Sequence, residues 1–303
     1  MKKFLALLVA LCLLPALAAA ETVVTSFYPI YLFTLNLLDG IDGVTVRNLA
    51  APDTGCLHDY QLQTGDMKAL NEADVFLING AGMESYLDNV FEAFPDLPVI
   101  DASAGIELLP AELDGLSVGE AETLYNAHVW LDPKNAIRMV GNLAEGLMAA
   151  CPDQAEGIAA NRDDYIKDLH ELNSYLSDVL FALSRRDIVT FHEAFPYFAK
   201  AYNLDVVAVV NREPGDALSP AALGELVLLV RELNLPPLFV EPQYDDLAAQ
   251  TLARETGAQV YTLDPIVTGP ENPPLTYYED VMVKNAWLLE EVLDPPKGSQ
   301  VVQ

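Results

Sequence analysis

Positive charge is scarce in this chain: 16 Lys and Arg stand against 45 Asp and Glu in 303 residues, a net charge of −29. That balance excludes ordinary nucleic-acid binding, which needs a basic face to displace phosphate counterions. It also argues against docking on anionic lipid. It permits a protein that handles cations, although net charge bears on solubility and steering and not on fold. Long uncharged runs are missing beyond residue 20. Even the apolar stretch Ala221 to Val240 carries Glu225, Arg231 and Glu232, so no membrane span is expected there. Enzyme signatures are missing too. There is no Gly-x-Ser-x-Gly elbow and no Walker-type phosphate loop. The paired-His helix of zinc peptidases fails because His192-Glu193 meets Pro196 where the second His should stand.

What is present starts with a leader. Lys2 and Lys3 precede an apolar run from Phe4 to Leu17, and Ala18, Ala19 and Ala20 supply small residues before Glu21. This is the pattern of a secretory signal peptide, with an apolar run too short to span a bilayer comfortably. Cleavage is expected near Ala20, leaving an exported protein, periplasmic or at the cell surface. The leader carries two lysines and no acid, so its removal takes the net charge from −29 to −31. Cys12 lies inside the apolar run behind Leu11, a poor setting for lipid attachment. Cys56 and Cys151 remain. In an oxidising compartment they are candidates for a disulfide, for two separate buried thiols, or for a placement of Cys56 near a site, since it stands two residues before His58.

Hydrophobic residues make up 51% of the chain, enough for a large core, and the length suits about two domains at ~150 residues each. Short β-branched runs alternate with helical segments, which indicates α/β layers with mainly parallel sheets. Strands are expected at Thr22–Phe27, Val44–Leu49, Val75–Asn79 and Val99–Asp101, then again at Asp187–Phe191, Val206–Val210, Leu238–Val240 and Gln259–Leu263. Between the two sets lies a helical segment from about Pro152 to Leu183. Tyr165, Leu169, Leu172, Leu176, Val179 and Leu183 recur there at spacings of four and three, on one helix face. A single helix of that length is a rod of ~45 Å at ~1.5 Å per residue; the alternative is two helices broken near Asn173-Ser174. The expected organisation is a signal peptide over 1–20, an N-terminal lobe over 21–151, a linking helix over 152–184 and a C-terminal lobe over 185–303.

The chain has four histidines, His58, His128, His170 and His192. His170 falls in the linking helix and reads as a solvated helical residue. The other three are expected in loops that follow strands, and Asp264 follows the last strand and precedes Pro265. Open α/β sheets bind ligands at the carboxyl ends of their strands. Each residue alone is a weak signal, but neutral imidazoles and a carboxylate converging between two lobes make a site for a divalent cation.

These segments resemble the cluster A-I substrate-binding proteins of ABC transporters, the zinc and manganese binding family. The resemblance rests on Ser26-Phe27-Tyr28-Pro29, on His58-Asp59-Tyr60 and on His128-Val129-Trp130-Leu131-Asp132-Pro133. It continues through Thr190-Phe191-His192-Glu193-Ala194-Phe195-Pro196, Glu213-Pro214-Gly215, Ser219-Pro220, Phe239-Val240-Glu241-Pro242-Gln243 and Leu263-Asp264-Pro265. It implies two (β/α) lobes with parallel sheets joined by one long rigid helix, with metal in the cleft between them. It also implies His58, His128, His192 and Asp264 as ligands, delivery of the ion to a membrane permease, and a monomer. Manganese-type members usually carry Glu at the third position; His192 there, beside Glu193, resembles the zinc type. Three nitrogens and one oxygen suit Zn²⁺ better than Mn²⁺. Asp59, Glu193 and Glu241 are candidates to orient the ligands from the next layer.

Two features depart from the family pattern. Ala104 to Ala127 contains acids but no His, so a His-rich tether is not supported, and Cys56, which has no counterpart in the pattern, is open to a nearby disulfide or to a role as an adventitious soft ligand. Four protein ligands would close a tetrahedral shell and leave no position for a substrate, which sets a zinc hydrolase aside. The turn Asn211-Arg212-Glu213-Pro214-Gly215 reads as a loop that closes the cleft. A surface adhesin would share the same site, so the sequence leaves that alternative open.

Overall fold

The computed structural model describes residues 21–57, 60–111, 125–210, 220–234, 236–243 and 246–294. The leader with Cys12, His58 and Asp59, much of the acidic stretch before Ala127, and the Asn211–Gly215 turn lie outside the described residues.

Two parallel four-stranded sheets form the frame. The first holds β1 (Glu21–Thr25), β2 (Val44–Asn48), β3 (Val75–Ile78) and β4 (Val99–Asp101) in the order β2-β1-β3-β4. The second holds β5 (Asp187–Thr190), β6 (Asp205–Val209), β7 (Leu238–Val240) and β8 (Val260–Thr262) in the order β6-β5-β7-β8. The two sheets share one topology although the halves share no sequence repeat. All pairings are parallel, and the central strand β3, Val-Phe-Leu-Ile, is buried along its whole length. A continuous apolar run is what a parallel strand covered on both faces requires.

The first sheet carries α1 (Tyr28–Leu37), α2 (Thr64–Asn71), α3 (Leu87–Ala93) and α4 (Pro133–Ala150). Asp132 caps α4 by accepting from the Lys134 amide at 2.9 Å, and Pro133 takes the first turn, as expected from Asp132-Pro133. The second sheet carries α6 (Pro196–Tyr202), α7 (Pro220–Glu232) and α8 (Leu247–Thr256), the last ended by Gly257 at φ +86°.

The linking helix α5 (Ala155–Leu180) runs unbroken through Asn173-Ser174 for 26 residues, about 39 Å at ~1.5 Å per residue. A 3-10 turn at Pro152–Gln154 precedes it. Tyr165, Leu169, Leu172 and Leu176 are buried along one face as the spacing predicts, but Leu180 takes the next buried place and Val179 is only half-buried. At 3.6 residues per turn an alternating three–four repeat drifts around the helix, so the seam steps to the neighbouring residue. The helix packs against α1, α4 and α6. The final helix α9 (Tyr277–Leu293) returns to lie on α5 and α1. A large core of both halves is thus built around α5, while a smaller cluster of Val189, Val210, Val230, Leu238, Leu252 and Ala258 holds α7 and α8 to the second sheet.

Candidate metal centre

The carboxyl ends of the two sheets face one cleft. His192 stands two residues beyond β5, and the Phe191 amide still donates to the Phe239 carbonyl at 3.0 Å, so the strand delivers the histidine at its tip. Cys56 lies in the loop that follows β2. That loop is pinned by Leu57, fully buried, by the Tyr60 hydroxyl donating to Asp66 at 2.8 Å, and by the Gly269 amide donating to the Pro52 carbonyl at 3.0 Å. The sequence places His128 behind a strand. The structure instead sets it between the isolated bridge at Tyr125 and a 3-10 turn, Val129–Leu131. Val129, Trp130 and Leu131 are buried by packing and not by a ladder.

Three donor atoms meet there. The Nε2 atoms of His128 and His192 are 3.1 Å apart; the Cys56 sulfur is 3.4 Å from the first and 3.8 Å from the second. Both imidazoles are buried and cross at 77° with centroids 4.9 Å apart. Zinc–nitrogen bonds of ~2.0–2.1 Å and zinc–sulfur bonds of ~2.3 Å at tetrahedral angles require N···N of about 3.3 Å and N···S of about 3.6 Å. The observed triangle therefore has the size of one face of a tetrahedral zinc shell. Among the described residues, Cys56, His128 and His192 are a group whose donor atoms could share one metal ion.

Asn126 holds His128 and the backbone next to His192. Its Oδ1 accepts from the His128 amide at 3.0 Å and lies 3.2 Å from His128 Nδ1, while its Nδ2 donates to the Glu193 carbonyl at 2.7 Å. An amide oxygen against Nδ1 favours the proton on that nitrogen and leaves Nε2 as the lone-pair donor. The Tyr197 hydroxyl donates to the Asn126 carbonyl at 2.9 Å and holds the residue in turn. Sequence reasoning named Glu193 and Glu241 for this layer and missed Asn126. The signal was its position, two residues before His128. Glu193 meets Asn126 through its backbone carbonyl.

Asp264 follows β8. Its carboxylate is not among the donor atoms that lie within 4.8 Å of one another. Oδ1 accepts from the Ile266 amide at 2.7 Å, and its backbone is clamped by Asn285 of α9 at 3.0 Å and 2.7 Å. The Trp130 indole donates to the next carbonyl, that of Pro265, at 2.8 Å. The His128 and Asp264 loops are thereby tied across the cleft. Buried Ile266 has φ +65°, a costly conformation for a β-branched residue, so this loop is held against local preference. Burial pushes the Asp264 carboxyl above its ordinary value, partly offset by the Ile266 amide and Lys284. Burial pushes Glu241 well above its own, with Gln243 opposing and the Asp264 charge adding. One Glu241 oxygen accepts from Gln243 at 2.6 Å; the other has no hydrogen-bond partner among the described residues.

The remaining cysteine is elsewhere. Cys151 ends α4, is buried, and interacts with Glu21 and Asp74 at the amino ends of the first sheet, where burial pushes its thiol up to about 12. Cys56 follows a carboxyl end, so the sheet separates the two thiols and neither is in a disulfide.

A family model described as zinc-uptake complex component A, periplasmic, matches residues 23–292. The chain belongs to this family. Among curated relatives, a manganese-binding lipoprotein, MntA of Halalkalibacterium halodurans, is 32% identical over 235 residues, covering 75% of this chain and 74% of the relative. A zinc-binding lipoprotein, AdcA of Streptococcus pneumoniae, is 29% identical over 311 residues, covering 97% of this chain; the match spans 62% of AdcA's own length. A crystal structure of ZnuA superposes with a TM-score of 0.77 at 28% identity, covering 91% of this chain and all of that one. Membership of the zinc-uptake component A family makes the protein a non-enzymatic transport component: a metal-binding solute-binding protein for ABC uptake. Among the described residues no helix is long and apolar enough to cross a membrane.

Proposed function

We propose that this protein captures Zn²⁺ outside the cytoplasm and delivers it to the permease of an ABC uptake system. The relatives do not choose the ion, because one is named for manganese and another for zinc. The donor set supports zinc. Two imidazoles and a thiol within 3.1–3.8 Å of one another form a soft, tetrahedrally sized triangle, whereas Mn²⁺ prefers more oxygen. From the family pattern, His58, His128, His192 and Asp264 are the proposed ligands. Export by the 1–20 leader with cleavage near Ala20, lobes over 21–151 and 185–303 about a 152–184 link, and a monomeric state complete the reading.

Calorimetric titration of metal-free protein tests it. One tight Zn²⁺ site is expected, weakened at least ~100-fold by His128→Ala, since losing a ligand costs no less than losing its outer partner. An unchanged affinity in that variant overturns the assignment.

A further inference from the structure

We propose that the Cys56 thiolate is a direct ligand of the transported ion, and that it sets the protein's preference for thiophilic cations such as Zn²⁺ over Mn²⁺. The inference rests on the metal-capture reading above and adds the residue that chooses the cargo. It departs from the three-histidine, one-aspartate set that the family pattern implies, in which position 56 has no part.

Three observations carry it. The Cys56 sulfur approaches both buried imidazole nitrogens, at 3.4 and 3.8 Å, and closes a triangle with the 3.1 Å nitrogen pair. A thiol that merely donated one hydrogen bond would need only one of them. These edges bracket the ~3.3 and ~3.6 Å expected for two nitrogens and a sulfur on one zinc. Among the described residues, the three donors that meet are two nitrogens and a sulfur. Finally, Cys56 is in no disulfide and is half-buried, while Cys151 is fully packed at the other end of the first sheet. Soft thiolate ligands favour Zn²⁺ over the more oxygen-seeking Mn²⁺. Binding the ion displaces the thiol proton to solvent, so the step needs no oxidant and leaves sulfur in its reduced state.

The test uses the full mature protein loaded with Co²⁺, then Zn²⁺ and Mn²⁺ in competition. A sulfur ligand gives Co²⁺ a near-ultraviolet thiolate-to-metal charge-transfer band in addition to visible d–d bands. The wild type is expected to show both. Cys56→Ser is expected to keep d–d bands from His128 and His192, lose the charge-transfer band, and lower the Zn²⁺/Mn²⁺ affinity ratio by about 10–100-fold or more. Wild-type d–d bands without charge transfer would overturn the role of Cys56 and leave metal capture standing. A ratio within twofold of wild type in Cys56→Ser would do the same. No binding of Co²⁺ or Zn²⁺ by the wild type would overturn the capture reading itself. Because the charge-transfer band is read on the unmodified protein, poor folding of the variant does not blunt the test.

Discussion

Removing the Asn126 side chain separates ligand identity from ligand orientation. Asn126 is 4% exposed and makes three contacts: to the His128 amide, to His128 Nδ1 and to the Glu193 carbonyl. Asn126→Ala leaves two donors and one acceptor without their partner. Each buried group left unsatisfied costs about 1–3 kcal/mol, but a cavity this polar admits water, which recovers part of the loss. A net destabilisation of about 2–4 kcal/mol is expected, readable as a lower urea midpoint of the metal-free protein. The second effect falls on metal. Without the Asn126 oxygen, His128 Nε2 no longer holds the lone pair by default and the ring is free to turn. Outer partners of this kind are worth ~10–100-fold in affinity, or about 1.4–2.7 kcal/mol. Zn²⁺ affinity by chelator competition should fall within that range, less than for His128→Ala. Asn126→Asp keeps the acceptor and should recover most of the affinity, although it loses the donor to Glu193. If Asn126→Ala binds Zn²⁺ within twofold of wild type, the bond to Nδ1 does not orient the ligand and the argument fails.

Two further outcomes concern the frame. Leu169 is fully buried on α5, so Leu169→Ala should cost about 2–5 kcal/mol in chemical denaturation; a loss below ~1 kcal/mol would show that α5 is not the spine of the core. Glu84 is buried, accepts from the Asn79 and Gly80 amides at 2.7 and 3.1 Å, and burial pushes its carboxyl up to about 7. The folded state then holds this proton more tightly than the unfolded chain does. The associated stability is full below the ordinary glutamate range and is lost as pH rises through about 7, by up to ~3 kcal/mol. Glu84→Gln should flatten that part of the stability–pH curve of the metal-free protein, and an unchanged slope would refute the assignment.

Local patterns carried most of the architecture. β-branched runs, the Asp132-Pro133 start and the Leu and Tyr seam of α5 each act within a few residues, and all of them reappear in the structure. The seam was misread only where helical drift accumulates, at Val179 and Leu180. His128 and His192 were legible because chemistry-bearing residues stood beside strand ends and helix starts. Their environment was not. A placement of Cys56 near a site was one of three readings the sequence left open; His128 and His192 stand 72 and 136 positions from it, and no local pattern chooses among those readings.

By itself the sequence indicated α/β layers with parallel sheets in two sets, a helical segment between them, an acidic chain, and histidines placed for a cation. Periodicity and composition are local or additive, so they survive without coordinates. Tertiary structure decided what depends on distance between remote segments. It separated Cys56 from Cys151 by the height of a sheet and joined it to two imidazoles. It also made Asn126 the residue that aims one of those imidazoles, and it folded α9 back onto α5. Closure of the chain in space, with the loops at the sheets' carboxyl ends facing one another, brought two of the candidate histidines and Cys56 within reach of one metal ion.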